Sequence, residues 1–339
     1  MLKLTDEEYR QMTIEDYFEG EVKPNLFAVS RVFAEARKQM TLSEYKTFVY
    51  ALSNIKWKDK CPDTLYLDKK EVAKLVGINS DIDHLSENLN RSIGKMPKHS
   101  FLKFSDKHKG MYLNGNFVRT IAMFKNVVRI RLEEEFLGLF GELESNYITM
   151  WSGDVYQMKS ERSIAFYELL RNNSDTRLDV NCAELGVKAL KDLFDIPKEG
   201  KGSYLNKDGH FARTHFEKYV IDPLCDDLKN CRMICLILQA DGKAYEKVKK
   251  GNKVIAYRFY WTLTTHPAVA TAAEVQQIQE RVDKDPQVLK VAKDIVNGKP
   301  KPKKEKKNTF SNFGERDVDY AELQRVLIEN SMNATEEGI

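Results

Sequence analysis

Two segments near the beginning of the chain place hydrophobic residues at helical spacing. In the first, the apolar residues of 26–33 recur every three or four positions, which predicts a helix that begins at Leu26. The second, 42–55, has the same spacing, and Thr41 or Ser43 is the predicted N-cap. Both segments are expected to be helices that bury one face.

The next segment mixes short helices with short strands. A strand is predicted at Thr64–Leu67, followed by a helix over 69–76 that Asp68 caps and Gly77 ends, and by a second helix over 83–95. Alternating apolar and polar residues then predict strands at 101–104, 112–122 and 127–132, with a turn at 106–110. This order is that of a winged helix, in which the second short helix is the recognition helix and the hairpin is the wing.

The same order of elements recurs about 115 residues later. A long helix near 211–229 is the second predicted recognition helix, and Pro223 should kink or divide it. The other predicted elements are a helix at 160–172, a strand at 177–180, a helix from Asn181 to Phe194, and strands at 232–239 and 253–263 joined by a lysine-rich turn. The repeat predicts an α+β fold of two tandem winged-helix domains with pseudo-two-fold symmetry, plus a charged C-terminal extension.

Changes in composition divide the chain into segments. The first winged helix covers 26–150, and the second covers 151–266. The remaining segments are an acidic N-terminal arm (1–25), a charged helical segment with a lysine- and proline-rich linker (267–307), and a C-terminal tail (308–339).

The charge is distributed unevenly. The chain has 339 residues, 42% hydrophobic and 31% charged, a composition that excludes wholesale disorder. Its formal net charge is only +3, but 82–132 carries ten Lys/Arg against three Asp/Glu, 198–258 carries thirteen against eight, and 299–307 carries six against one. Basic islands on an otherwise acidic chain predict a polyanionic partner that binds at particular places.

Cysteine usage and hydropathy indicate the compartment. The five cysteines form no CxxC pair, and we expect them to be reduced, buried thiols. No apolar run approaches the roughly 18 residues that a membrane span needs, and residues 1–21 lack a secretory apolar region. We therefore expect a soluble, cytoplasmic protein with no membrane partner.

The sequence contains none of the common catalytic constellations. GxGxxG, HExxH and a complete Walker A sequence are absent, and the six histidines are never two positions apart, as a metal-dependent DNA nickase would require. His210 and His215 are five apart, and their expected role is to donate to DNA or solvent rather than to bind metal. We expect a protein that is not an enzyme, with no catalytic residue, metal or cofactor.

Polar residues on the two predicted recognition helices and hairpins are suited to DNA. Asn can pair with adenine and Arg with guanine, whereas lysines on a wing would contact phosphates. In the first domain the candidates are Ser86, Asn90, Arg91 and Lys95 on the helix, with Lys98, His99, Lys103, Lys107 and Lys109 assigned to the wing. In the second domain they are Lys207, His210, Arg213, Thr214, His215 and Lys218, with Lys243, Lys247, Lys249, Lys250 and Lys253 at the wing tip.

Four stretches of sequence resemble one family. SERSIAFYELLRNN (160–173), DGHFARTHFEKYVIDPLCDDLKN (208–230) and TLSEYKTFVYALSNI (41–55) are similar to the two opening helices and the second recognition helix of iteron-binding plasmid replication initiators, the initiator Rep proteins of theta-replicating plasmids. NTFSNFGERDVDYAELQRVL (308–327) resembles a tail of Gram-positive members.

This resemblance implies a function. Two winged helices would bind directly repeated origin sequences in consecutive major grooves, as a monomer, and promote melting with host replication proteins such as the initiator and the helicase or its loader. A dimer in equilibrium with the monomer would repress the protein's own gene. The resemblance implies that the first winged helix (26–150) serves dimerisation and DNA binding, and that the second (151–266) is the main DNA-binding domain. Carried over by position, Arg213, Thr214, His215 and Lys218 would face bases and phosphates.

Three other interpretations remain open from the residues. A winged-helix transcription regulator without a replication role would carry one such domain and a separate sensor. A rolling-circle nickase would need the histidine pair that is missing. A structural interaction protein would not explain why positive charge concentrates on two helices and two hairpins.

Overall fold

The structure is a computed structural model that describes residues 24–55, 59–79, 82–106, 111–141, 143, 147–194, 196, 205, 211–264, 280 and 284. The described residues belong to one compact unit. The predictions for most of the N-terminal arm, for nearly all of the charged segment and linker, and for the C-terminal tail lie outside the described residues.

The first winged helix opens as its caps predict. Helix α2 (Leu42–Ser53) begins at Thr41, whose hydroxyl accepts from the backbone N–H of Glu44, while the Glu44 carboxylate accepts from that of Thr41. Strand β3 (Thr64–Asp68) leads into helix α3 (Lys69–Leu75), with Asp68 as the N-cap. The recognition helix α4 (Ile82–Ile93) follows.

The predicted helix at Leu26 is wrong at its beginning. Residues Leu26–Ser30 form strand β1, which pairs antiparallel with strand β8 (Tyr147–Trp151). The helix begins only at Arg31, as α1 (Arg31–Glu35), and Ser30 is its N-cap. Three consecutive buried residues suit a strand covered on both faces, and the distant partner strand decides between the two conformations.

The wing of the first domain is a different hairpin from the predicted one. After the short helix α5 (Met96–His99), strands β4 (Phe101–Asp106) and β5 (Met111–Asn116) form a sheet with β2 (Arg37–Lys38) in the order β2-β4-β5. Strands β6 (Val118–Met123) and β7 (Val127–Leu132) form a separate sheet with β3, in the order β3-β7-β6. Because β6–β7 pairs with the strand before the short helices, it is the wing.

The predicted single strand at 112–122 is therefore two strands. Phe117 separates them and is completely buried. Its ring centroid lies 5.4 Å from that of Phe33 and 4.9 Å from that of Phe48. Alternation alone continues across this position, and only the aromatic core shows that the chain changes sheet there.

The second winged helix repeats the arrangement. A short helix, α6 (Ser152–Gln157), leads to α7 (Glu161–Asn172), which agrees with the helix predicted at 160–172 and has Ser160 as its N-cap. Strand β9 (Asn181–Gly186) and helix α8 (Val187–Leu193) follow. The predictions of a strand at 177–180 and a helix starting at Asn181 are wrong. The Asn181 side chain accepts from the backbone N–H of Asp175 at 2.6 Å, so it closes the preceding loop rather than capping a helix.

The second recognition helix contains a π turn. It consists of α9 (Arg213–Phe216), a π turn (Glu217–Ile221) and α10 (Asp222–Leu228) in succession. Pro223 lies in the first turn of α10 and has no backbone N–H to continue the α-helical pattern. The helix accommodates Pro223 through the wider π turn, and this is the irregularity that was predicted as a kink.

The wing of the second domain is longer than predicted. Strand β11 (Tyr245–Lys250) contains most of the stretch that was expected to be a lysine-rich turn, and it pairs with β12 (Lys253–Leu263). The turn itself contains Gly251, at φ 60°. Strand β12 also pairs with β9, and with the short β10 (Ile234–Leu236) on the edge shared with β11. The order of β9, β12 and β11 repeats that of β3, β7 and β6, so the α+β prediction of two winged helices is confirmed.

A buried ion pair joins β2 to helix α7. Lys38 Nζ lies 3.0 Å from Glu168 Oε2, and the two side chains are 6% and 1% exposed. The Tyr45 hydroxyl donates to the same carboxylate. Burial raises the pKa of Glu168 and lowers that of Lys38, and the attraction between the charges opposes both shifts.

The five cysteines are free thiols, and most of them are buried. None of the five cysteines forms a disulfide, and only Cys182 is partly exposed. Burial raises the pKa of Cys61 and of Cys225 to about 12. Among the described helices, none is long and apolar enough to cross a membrane.

Candidate nucleic-acid interface

The second recognition helix exposes a short polar face near its beginning. Thr214 and Lys218, one α-helical turn apart, are exposed, and Phe216 and Val220 are buried behind them. Arg213 is 43% exposed. These three side chains were predicted from the sequence, and the structure brings them to one helix end.

Tyr219 belongs to the same face and was missed. It is 45% exposed, one of few large hydrophobic side chains in the described residues to be so accessible. The Lys218 ammonium lies 5.2 Å from its ring centroid. The signal was available, because an aromatic residue next to a lysine on the polar face of a recognition helix can contact sugars or base edges.

His215 is partly buried and makes two contacts within the protein. Its Nδ1 lies 2.9 Å from the carbonyl oxygen of Leu205, and its ring packs edge-on against Tyr219 at 5.9 Å between centroids. The imidazole therefore holds the preceding loop against the helix. The family-based position of His215 matches, but its contact in this chain is structural.

Glu217 lies between the second recognition helix and its wing, and only 8% of the residue is exposed. Its Oε2 accepts from Lys247 Nζ at 2.8 Å, and its Oε1 accepts from the Tyr257 hydroxyl at 3.0 Å. Arg213 Nε lies 3.6 Å from Oε1. One carboxylate thus connects the recognition helix to both strands of the wing.

Asp222 makes a second, similar connection. Its Oδ2 accepts from Lys243 Nζ at 2.7 Å and its Oδ1 accepts from the Tyr245 hydroxyl at 3.0 Å. The hydrogen bond that Lys243 donates to Asp222 raises the pKa of Lys243. Of the predicted wing lysines, Lys243 and Lys247 are therefore engaged within the protein.

The remaining wing lysines are accessible. Lys249 and Lys250 end β11, Lys253 begins β12, and all three side chains are exposed around the Gly251 turn. Three positive charges at one hairpin tip are suited to phosphate contacts, which orient a protein on DNA without reading sequence.

In the first domain the recognition helix exposes two of the predicted residues. Helix α4 buries Leu85, Leu89 and Ile93 and exposes Asn90 and Arg91. Arg91 Nη2 lies 3.0 Å from Glu87 Oε1, with both side chains more than two-thirds exposed. Such a surface pair is weak, so the guanidinium remains available to a DNA base or phosphate.

The other candidates of this domain are scattered. Lys95 and Lys98 are exposed at the ends of the short helix α5, while Lys103 is exposed on β4 of the additional hairpin. His99 Nδ1 lies 2.9 Å from the buried carboxylate of Glu44. None of these side chains lies on the wing, which was predicted to carry Lys98, His99 and Lys103.

The wing of the first domain has basic residues that the sequence reasoning missed. Arg119 and Lys125 are exposed on or next to β6. The buried ammonium of Lys69 donates to the carbonyl oxygens of Phe124 and Lys125, each at 2.9 Å, and also to the Ser86 hydroxyl on α4. Ser86 is thus a support for the wing, and burial lowers the pKa of Lys69.

Four predicted site residues lie outside the described residues: Lys107, Lys109, Lys207 and His210. In the part of the chain that the structure describes, no group of three or more His, Cys, Asp or Glu side chains is arranged to hold a metal ion.

Comparison with known families agrees with this architecture. Residues 26–171 match the family described as "Initiator Replication protein, WH1", and residues 186–261 match "Initiator Rep protein, WH2". The chain belongs to the family of replication initiator proteins. No curated protein matches this initiator significantly.

The fold resembles that of a solved initiator. The crystal structure of Pi initiator protein in complex with iteron DNA is 14% identical, with a TM-score of 0.54 over 71% of this initiator and 98% of that chain. Domains 2 and 3 of RctB are 11% identical, with a TM-score of 0.36 over 67% of this initiator and 85% of that chain.

Proposed function

We propose that this chain initiates plasmid replication by binding directly repeated double-stranded sites at an origin. As a monomer it would place its two recognition helices in consecutive major grooves and promote local melting together with host replication proteins. A dimer would repress the chain's own gene. The observation that carries the proposal is the repetition, within one initiator-family chain, of an exposed recognition helix beside a basic wing.

The two parts of each domain would have different tasks. Side chains on the recognition helices, Asn90 and Arg91 in the first domain and Arg213, Thr214 and Lys218 in the second, would meet base edges. The wing lysines Lys249, Lys250 and Lys253 would neutralise phosphates and fix the register. The fold of the Pi initiator, which was solved with iteron DNA, supports this assignment by analogy.

We further propose that the chain acts without catalysis and without a cofactor, in the cytoplasm where its plasmid would be. Melting would then draw on the free energy of binding repeated sites. Incubating supercoiled origin DNA with the protein and Mg²⁺, with an EDTA control, tests this directly. Unnicked DNA is expected, and metal-dependent nicking would contradict the proposal.

A replication test addresses the function itself. A plasmid whose maintenance depends only on this gene and its flanking DNA should transform a host, and the double variant Arg213→Ala, Lys218→Ala should abolish transformation. The matched control is Arg177→Ala, because Arg177 is an exposed arginine paired with Asp175 in a loop away from both recognition helices. Maintenance by the double variant would refute the initiator role of this helix.

A further inference from the structure

Two carboxylates on the second recognition helix are held in matching ways. Glu217 accepts from Lys247 and Tyr257, and Asp222 accepts from Lys243 and Tyr245. In each case one lysine and one tyrosine of the wing region share a carboxylate of the helix. The repetition indicates a built connection between helix and wing rather than two independent surface pairs.

The π turn explains how both carboxylates reach the wing. In an α-helix, residues five apart point about 140° away from each other, since each residue advances by about 100°. In the π turn the backbone N–H of Asp222 donates to the carbonyl oxygen of Glu217, which brings these two residues almost one above the other. The π turn before Pro223 therefore places the carboxylates of Glu217 and Asp222 on the same side of the helix, facing the wing.

The charges are also arranged in an unusual way for a DNA-binding surface. A carboxylate on a recognition helix would repel phosphates, yet both carboxylates here are neutralised by wing lysines. The Tyr257 side chain is completely buried and Tyr245 nearly so, so their hydroxyls have no access to bulk water as an alternative partner. Burial, reinforced by the neighbouring carboxylates, raises the pKa of both phenols, which keeps them as donors.

We propose that Glu217 and Asp222 are positioning residues that fasten the recognition helix to its wing, so that Arg213 and Lys218 meet bases in the same register in which Lys249 and Lys250 meet phosphates. Glu217 additionally orients Arg213 through its Nε, leaving the terminal nitrogens of the guanidinium for DNA. This inference rests on the proposed DNA-binding function. It adds that the contacts of Glu217 and Asp222 with the wing are what make that binding sequence-specific.

The effect of removing a carboxylate distinguishes positioning from simple electrostatics. Electrostatics alone predicts that Glu217→Gln binds every duplex more tightly, because one negative charge is lost near phosphates. Positioning predicts the opposite for the cognate site: about tenfold weaker binding to the repeat, with binding to a scrambled duplex unchanged or slightly tighter. Asp222→Asn should act in the same direction.

A matched control lies on the same helix. Asp226 is 63% exposed in its side chain and pairs with Lys229 at 2.6 Å, in an i,i+3 contact at the surface. Asp226→Asn removes the same charge from α10 without touching the wing, and should leave the ratio of cognate to scrambled affinity as it is in the wild type. Glu217→Asp, which keeps the charge, should restore part of the discrimination.

Fluorescence anisotropy on the repeat and on a scrambled duplex measures these affinities, and hydrogen exchange on the DNA-free protein gives an independent readout. Glu217→Gln, but not Asp226→Asn, should speed amide exchange in β11 and in the π turn. Unchanged exchange together with unchanged discrimination would overturn the positioning role. A different result would refute the proposed function instead. In that case the wild-type protein would bind the repeat and the scrambled duplex equally, while Glu217→Gln would still speed amide exchange in β11, so the contact between helix and wing would stand.

Discussion

Lys38 at the end of β2 and Glu168 on α7 form an ion pair 3.0 Å long that is almost completely removed from solvent. Neighbouring contacts join α1 to the same helix: Arg31 Nη1 donates to the side-chain oxygen of Asn172 at 3.1 Å, and Asn172 Nδ2 donates to Glu35 at 2.8 Å. Helix α7 is thus held against α1 and β2 by specific polar contacts.

Breaking this ion pair should destabilise the protein strongly. Lys38→Met leaves the Glu168 carboxylate buried without its counter-charge, and the free energy of unfolding should fall by about 3–5 kcal/mol. Urea denaturation measures the change. The double variant Lys38→Met, Glu168→Leu removes both charges and should recover most of the loss. A single variant as stable as the wild type would show that the pair contributes nothing.

Arg213→Ala should reduce sequence discrimination. If the guanidinium contacts a base, its loss costs about 1–3 kcal/mol on the cognate repeat and little on scrambled DNA. Competition binding with both duplexes measures this difference, with Arg177→Ala as the control that should change neither. Equal weakening on both duplexes would place Arg213 on a phosphate instead.

Lys249→Gln combined with Lys250→Gln should weaken binding to all DNA alike. Each lost phosphate contact lowers the salt dependence of the logarithm of the binding constant by about 0.9, so the double variant should lose about 1.8 from the slope. Binding measured over a series of salt concentrations tests this. Lys229→Gln is a suitable control because Lys229 is half exposed but lies at the end of α10, paired with Asp226. A slope that stays constant would mean that the wing tip faces solvent.

The first domain allows a test of which hairpin is the working wing. Lys125→Gln on the β6–β7 turn should lower the salt slope by about 0.9, whereas Lys103→Gln on the additional hairpin should leave it unchanged. Both are exposed lysines on neighbouring hairpins of one domain, so each serves as the control for the other. The reverse result would restore the β4–β5 hairpin as the DNA-binding element.

Buried thiols should make the protein sensitive to high pH. The pKa of Cys225 is raised from its ordinary value of 9.0 to about 12, mainly by burial. The buried thiol is protonated in the folded state, and its contribution to the free energy of unfolding is fully present below the pKa of the unfolded state. This contribution is lost as the pH rises toward the folded pKa of about 12. Between pH 9 and 10.5, the free energy of unfolding of the wild type should therefore fall by about 2 kcal/mol more than that of Cys225→Ala, which lacks this thiol. Thermal unfolding at the two pH values gives the comparison, and identical losses would refute it.

The sequence predicted the elements whose signals are local. The caps at Thr41 and Asp68 and the irregularity at Pro223 all concern residues that act on their own backbone within a few positions. These features set the helices of both domains, and with them the order of elements that identifies a winged helix.

Features that depend on distant partners were not predictable in this way. Whether 26–30 is strand or helix depends on β8, more than a hundred residues away, and the choice of wing depends on which hairpin pairs with β3. Positive charge in the sequence indicated the exposed wing tip of the second domain, where Lys249, Lys250 and Lys253 lie. It did not show that Lys243 and Lys247 are held by carboxylates, because their partners come from another element.

The central claim, sequence-specific binding of repeated DNA by two winged helices, is tested most directly by anisotropy on DNA that flanks the chain's own gene. We predict tight binding to a duplex containing a direct repeat, at least about 4 kcal/mol more favourable than to a scrambled duplex at physiological salt. Equal, weak binding to both duplexes that disappears as salt is raised would contradict the account, because it would leave only non-specific attraction between a basic surface and phosphates.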